Sequence, residues 1–121
     1  MERRRTILVI GGTGLLGGHV VAEAERRGEQ TVAVGGPRRG ANGVDLADAA
    51  AVQALFERVR PDVVIHAAAL SAMADCARDP ELATRINVGG TASVAHAARA
   101  TGTRLVHVST DLVFDGEHAP Y

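Results

Sequence analysis

Apolar positions along this chain follow two alternating rhythms. Short unbroken runs, TILVI at 6–10, TVAV at 31–34, DVVIH at 62–66 and RLVHVS at 104–109, are separated by longer stretches in which apolar residues recur every third or fourth place. Unbroken runs of that length suit strands buried on both faces of a parallel sheet, and the wider spacing describes one face of a helix. In the first helical stretch Leu15, Leu16, Val20, Val21 and Ala24 oppose Glu23, Glu25, Arg26 and Arg27, and Gly28 supplies a left-handed stop. A second helix starts at Asp48, carries Val52, Leu55, Phe56 and Val59, and is closed by Pro61. A third opens on Asp79-Pro80-Glu81, with an N-cap acid and a proline at the first helical position, and runs to about Ala100 before Gly102. Its interior Gly89 and Gly90 each cost roughly 1 kcal/mol relative to alanine, so a close neighbour is expected there. Gly43-Val44-Asp45-Leu46 reads as a brief additional strand, and the segment holding Ser71, Met73, Asp75 and Cys76 as a loop.

Alternating strands and helices predict an α/β fold, a doubly wound parallel sheet over a single domain spanning 1–121. Right-handed crossovers and the character of the first turn favour the Rossmann-like strand order 3-2-1-4-5. A fifth strand close to the end of the sequence leaves one sheet edge unpaired, so the chain is expected to be the N-terminal part of a longer protein, truncated before the last strands and the substrate lobe. That open edge also makes a homodimer a candidate assembly.

The first turn carries the chemistry. The run at 6–10 passes directly into Gly11-Gly12-Thr13-Gly14-Leu15-Leu16-Gly17 and then into a helix. Gly11 permits a sharp exit from the strand, Gly14 lets backbone approach a pyrophosphate, and Gly17 permits close helix packing. The helix that follows directs its unpaired N–H groups and positive dipole end at an anion on the turn. Strand, glycine turn and helix together form the context that a dinucleotide site requires.

Composition narrows the rest. Apolar residues make up 46% of the chain but aromatics only 2%, with no Trp, so the core must be built from aliphatic side chains and close helix-on-sheet packing. A net charge of −1, from 13 basic and 14 acidic residues, argues against a nucleic-acid surface. Arg3-Arg4-Arg5 reads as a solvated lead-in to the first strand. With no bilayer-length apolar run and no secretory pattern, a cytoplasmic location without membrane association is expected. The single Cys76 excludes an intrachain disulfide, and no metal site is expected, since His19, His96 and His118 lack partners at ligand spacing. His66 and His107, in apolar strands, read as satisfied core histidines.

Cofactor choice is read from the second strand. An NAD site places an acid about 20 residues beyond the glycines to accept from the ribose 2′-hydroxyl. Here the loop reads Gly35-Gly36-Pro37-Arg38-Arg39, with no acid and two guanidinium groups where a 2′-phosphate would lie, so NADP is favoured over NAD. Carboxyl ends of parallel strands add Asp45-Leu46, Ala67-Ala68-Ala69 and Ser109-Thr110-Asp111 as candidate site residues. Thr110 is the hydroxyl placed for work on a carbonyl.

Taken together, GGTGLLG, Asp45-Leu46, His66 to Ala69, Asp79-Pro80-Glu81, Ile86-Asn87-Val88-Gly89-Gly90-Thr91 and Ser109-Thr110-Asp111-Leu112-Val113-Phe114-Asp115-Gly116 resemble the extended short-chain dehydrogenase/reductases. The last string is similar to the dTDP-4-dehydrorhamnose reductase branch. The resemblance implies an NAD(P)H-dependent reductase acting on a nucleotide-linked keto sugar. Gly11, Gly14 and Gly17, with Thr13, Leu15 and Leu16 among them, would hold the pyrophosphate. Asp45 and Leu46 would border the adenine, Ala67, Ala68 and Ala69 would line the cofactor, Asn87 would brace the site, and Thr110 would hydrogen-bond the substrate carbonyl. The family's Tyr-x-x-x-Lys is not present: Tyr121 follows Thr110 too closely and no lysine comes after it. The isolated chain is therefore expected to be inactive. A sugar-nucleotide epimerase or dehydratase, and a non-catalytic NADP-binding regulatory subunit of the same fold, are the alternative readings.

Overall fold

The structure, a computed structural model, describes residues 3–121. Four parallel strands form its sheet: β1 (Thr6–Ile10), β2 (Gln30–Val34), β3 (Val63–His66) and β4 (Arg104–His107), in the order β2-β1-β3-β4. Helix α1 (Leu15–Arg26) connects β1 to β2, and α2 (Ala49–Val59) leads into β3. Between β3 and β4 run α3 (Met73–Arg78), α4 (Pro80–Thr84), a π-helical turn (Arg85–Gly89) and α5 (Gly90–Thr101). The arrangement is the expected doubly wound, Rossmann-like sheet.

Its core lies on one face of the sheet. Leu8, Ile10 and Val64 point there because side chains alternate along strands, and they meet Val52, Leu55 and Phe56 of α2 and Val94, Ala97 and Ala98 of α5. Each of these side chains larger than alanine contributes about 1.5–3 kcal/mol when fully buried. The opposite face is thinner. Helix α1 packs over β1 and β2, while Val106 and Val108 remain 43% and 39% exposed.

Local signals for helix ends act as expected. Asp48 and Asp79 cap α2 and α4 by accepting from the amides of Ala51 (3.1 Å) and Leu82 (3.0 Å), and Gly28 and Gly102 take positive φ beyond α1 and α5. The close neighbour anticipated at the double glycine is Leu46: a Cβ on Gly90 would lie 2.8 Å from the Leu46 Cβ, whereas Gly89 faces open space.

Three expectations are corrected. The segment at Gly43 to Leu46 is not a strand; it contributes one parallel bridge, Gly35 with Gly43, because Asp45 at once turns the chain. The Asp45 carboxylate accepts from Ala47 N (2.9 Å) and its carbonyl from Asp48 N (3.0 Å). The sheet thus has four strands, with this segment lying beside the end of β2. The expected loop around Met73 and Cys76 contains α3, supported by an Asp75–Arg78 ion pair. The long third helix is interrupted by the π-turn, in which Asn87 is set toward the end of β3.

Candidate functional site

Where β1 ends, the chain is suspended from the strands on either side. Gly11 N and Gly12 N both donate to Val34 O (2.8 and 3.1 Å), while Ala67 N donates to Ile10 O (2.8 Å). Gly11 has φ +87°, and a Cβ there would lie 2.7 Å from Ala67 O, so only glycine fits both the turn and the approach of β3. Gly17 serves a different contact from the one expected. Its missing Cβ would fall 1.9 Å from Gly11 O, so it brings the first turn of α1 against the glycine loop itself rather than against the sheet. Gly14 precedes α1 in an extended conformation, with no side-chain cap and no acidic residue in the first turn. The first amides of this 12-residue helix are thus left for an external acceptor.

A cleft of about 680 Å³ opens over this loop at the carboxyl ends of the strands. That volume lies within the range of small-molecule sites. Gly11, Thr13, Gly14 and Leu15 form its floor, Asp45 and Leu46 one wall, and Ala67, Ala68 and Ala69 another. These are nine of the sequence-derived candidates. Ile10 and Val44, Gly35, Gly36 and Pro37 after β2, Leu70 and Ser71 after β3, and Leu82 and Ile86 complete it. Leu70, Ser71, Leu82 and Ile86 were missed, although the spacing of four between the last two on an apolar helix face was legible.

Leu16, Gly17, Arg38, Arg39, Asn87 and Thr110 do not line the cleft. Asn87 acts one layer out. Its Oδ1 accepts from Leu70 N (2.8 Å) and its Nδ2 donates to Leu70 O (3.0 Å), so the side-chain amide imitates a strand neighbour and fixes the backbone after β3. Cys76, free and half-buried, adds a third tie by donating its Sγ–H to Leu70 O (3.1 Å). Thr110 is exposed and caps a short 3₁₀ turn (Asp111–Val113), accepting from Leu112 N at 3.2 Å. Tyr121 donates its hydroxyl to Asp115 (2.5 Å), and this bond, with others from Glu117 N and His118, holds the Asp115 carboxyl down at about 2.

The two strand histidines differ from expectation. His107 is exposed, because nothing covers that part of β4 among the described residues. His66 is buried at 1% exposure, but its Nδ1 has no partner. Its Nε2 lies 3.4 Å from the Thr91 hydroxyl, whose proton is already given to Asn87 O at 2.7 Å. The Thr91 oxygen can then only accept, which assigns the proton of neutral His66 to Nε2 and leaves the Nδ1 lone pair unmatched. Burial, reinforced by the neighbouring His107, pushes the His66 pKa down from 6.5 to about 4. Between those values the unfolded chain binds a proton that the folded chain refuses, so stability rises with pH there. Thermal unfolding at a series of pH values should show Tm falling as pH drops from 6.5 to 4, and His66→Gln should flatten that slope. Unchanged slopes would mean that His66 is not held neutral.

A second concavity, of about 580 Å³, is lined by Arg3, Arg4, Arg5, Arg27, Gly28 and Glu29 at the opposite end of the strands. Three of its four arginines are engaged within the fold: Arg3 with Asp62, Arg5 with Glu29 and Arg27 with Glu23. Among the described residues no group of three or more His, Cys, Asp or Glu could hold a metal, and no helix is long and apolar enough to cross a membrane.

The glycine loop at the N-terminus of α1 thus opens on a cleft at the switch point of a parallel sheet. The sequence pattern of the RmlD substrate binding domain matches residues 5–121. The chain belongs to this family. It is 36% identical over 119 residues to methionine adenosyltransferase 2 subunit beta of Mus musculus, covering 97% of this chain and 36% of that protein. It is 38% identical over 109 residues to dTDP-4-dehydrorhamnose reductase of Streptomyces griseus, covering 90% and 34%. Among solved structures, dTDP-4-dehydrorhamnose reductase from Bacillus anthracis, in complex with NADP, superposes with a TM-score of 0.84 at 26% identity, over 98% of this chain and 40% of that one. The chain thus spans about a third of the length of the curated relatives it matches. These relatives place it with the extended short-chain dehydrogenase/reductases, as the motifs implied.

Proposed function

We propose that this chain is the cofactor-binding part of an NADPH-dependent reductase acting on a nucleotide-linked keto sugar. The observation that carries the reading is the glycine cradle under the cleft. A Cβ at Gly11 or Gly17 would strike backbone, Gly14 leaves the floor open, and the uncapped first turn of α1 points at the space above. This fits the pyrophosphate of a dinucleotide, and the superposition on an NADP complex supports the same cofactor class. Gly11, Gly14 and the α1 amides would hold the pyrophosphate, Asp45 and Leu46 would border the adenine, and Ala67 to Ala69 would lie along the cofactor. The loop that carries Arg38 and Arg39 would receive a 2′-phosphate.

When bound, a nicotinamide supplies a hydride. The chain's own contribution to the ketone would be Thr110. Its hydroxyl proton has a single weak acceptor, Asp111 Oδ1 at 3.4 Å, and is easily redirected to a carbonyl oxygen. In the intact protein Thr110→Val should lower kcat/KM for the keto sugar by about 10- to 100-fold while leaving cofactor affinity unchanged, because the lost hydrogen bond strengthens only as charge develops on oxygen. NADPH oxidation with a keto-sugar nucleotide tests both the activity and the role of the threonine. Wild-type turnover with an unaffected variant would remove the threonine from the mechanism.

The likeness to methionine adenosyltransferase 2 subunit beta favours a second reading, a regulatory subunit that binds NADP without turnover. Cofactor binding by the intact protein with no NADPH oxidation would select it over the reductase.

A further inference from the structure

The loop leaving β2 is closed by its own backbone. Gly35 N donates to Asn42 O (2.9 Å), Val44 N to Gly35 O (3.0 Å), Arg39 N to Gly36 O (3.0 Å) and Gly43 N to Gly40 O (3.0 Å). Its two arginines are both exposed, yet they are seated differently. A Cβ on Gly35 would lie 2.7 Å from Arg39 Cγ and 2.7 Å from Thr13 Oγ1, and one on Gly43 would lie 3.2 Å from Arg39 Cβ and 2.2 Å from Gly36 O. The stem of Arg39 therefore rests on two bare glycines, beside a threonine of the cofactor loop. Arg38 has no atom among the nearest neighbours of either glycine, and Gly36 faces open space. The Arg39 guanidinium nevertheless makes no hydrogen bond or ion pair with any described residue.

A guanidinium whose stem is packed and whose donors are unspent is pre-ordered for an anion, since less rotamer entropy remains to be lost on binding. Gly35 and Thr13, the residues under that stem, both line the cleft, and no acid stands between residues 31 and 44 to repel a phosphate. We infer that Arg39, rather than Arg38, discriminates the 2′-phosphate, and that Gly35 and Gly43 are positioning residues whose missing side chains form its seat. This rests on the reading of the cleft as an NADP site.

Adenosine 2′,5′-bisphosphate and 5′-AMP differ only in the 2′-phosphate, so the ratio of their affinities for this chain, measured by calorimetry, isolates that group. Wild type should favour the bisphosphate by about tenfold or more, as expected of a charge-assisted contact. Arg39→Ala and Arg39→Met should bring the ratio close to one, Arg38→Ala should largely keep it, and Gly35→Ala should reduce it by weakening the bisphosphate more than 5′-AMP. In an Arg39→Ala background, Gly35→Ala should change the ratio no further. A measurement on the unaltered chain covers the case in which Gly35→Ala does not fold: ¹⁵N relaxation should show Arg39 Nε more restricted than Arg38 Nε. A wild type with no preference would remove the cofactor reading itself. A preference that survives Arg39→Ala would overturn the assignment alone, and equal mobility of the two Nε groups, or a Gly35→Ala that weakens both ligands alike, would overturn the seat.

Discussion

Gly17→Ala is expected to abolish nucleotide binding and to destabilise the fold by about 3 kcal/mol, the upper end for overpacking. A methyl group there would lie 1.9 Å from Gly11 O, 2.6 Å from Gly11 C and 2.9 Å from Gly12 Cα. All three are backbone atoms, so no side chain can swing away. The loop cannot retreat either, because Gly11 and Gly12 are bound to Val34 O and Ile10 O is bound to Ala67 N. The first turn of α1 must lift instead, taking its free amides away from the cleft. Chemical denaturation and calorimetric titration check the two effects. Gly14→Ala is the informative control: its Cβ would meet only Gly11 O at 3.3 Å, so the fold should persist while affinity falls through a partly filled floor. A Gly17→Ala chain that melts and binds like wild type would contradict the packing described above.

The second large effect is expected at Asn87. Alanine there strands Leu70 N and leaves Leu70 O only the weak Cys76 Sγ–H donor, in a part-buried setting where an unsatisfied group costs about 1–3 kcal/mol. A loss of about 3 kcal/mol should follow. Because Leu70 lines the cleft, cofactor affinity should fall as well, although Asn87 itself does not line it. Asn87→Leu, similar in volume, should be as damaging, which separates loss of the two hydrogen bonds from loss of packing. If the leucine variant were as stable as wild type, the amide would be a bystander.

Much of this was legible in the chain. The glycine spacing located the loop, the apolar runs located the four strands, and the strand-end rule identified Asp45, Leu46 and Ala67 to Ala69 as walls of the cleft. The misreadings have physical causes. Val44 and Leu46 looked like strand residues because they are buried, but their burial comes from the core, while Asp45 between them bends the backbone out of register. The π-turn was hidden because its residues keep helical backbone angles on both sides and differ only in hydrogen-bond partner. His107 was read as buried from its apolar neighbours, yet strand composition does not say whether a second layer covers the strand. Gly35, at the end of a strand, becomes intelligible only when Arg39 and Thr13 are brought to it from either side.

The strand order β2-β1-β3-β4 also dictates when the cradle can exist during synthesis. Helix α1 and its glycine loop leave the ribosome before the strands that shape them, since the loop hangs from Val34 on one side and is pressed by Ala67 on the other. Until the segment through Ala67 has emerged, the amino-terminal third of the chain holds a phosphate-binding sequence with no phosphate-binding shape. Parallel pairing of this kind is slow to form because its loops must close before the contacts reward it. A nascent chain arrested before β3 should therefore ignore nucleotide, and one arrested after β4 should be the first that nucleotide protects from proteolysis.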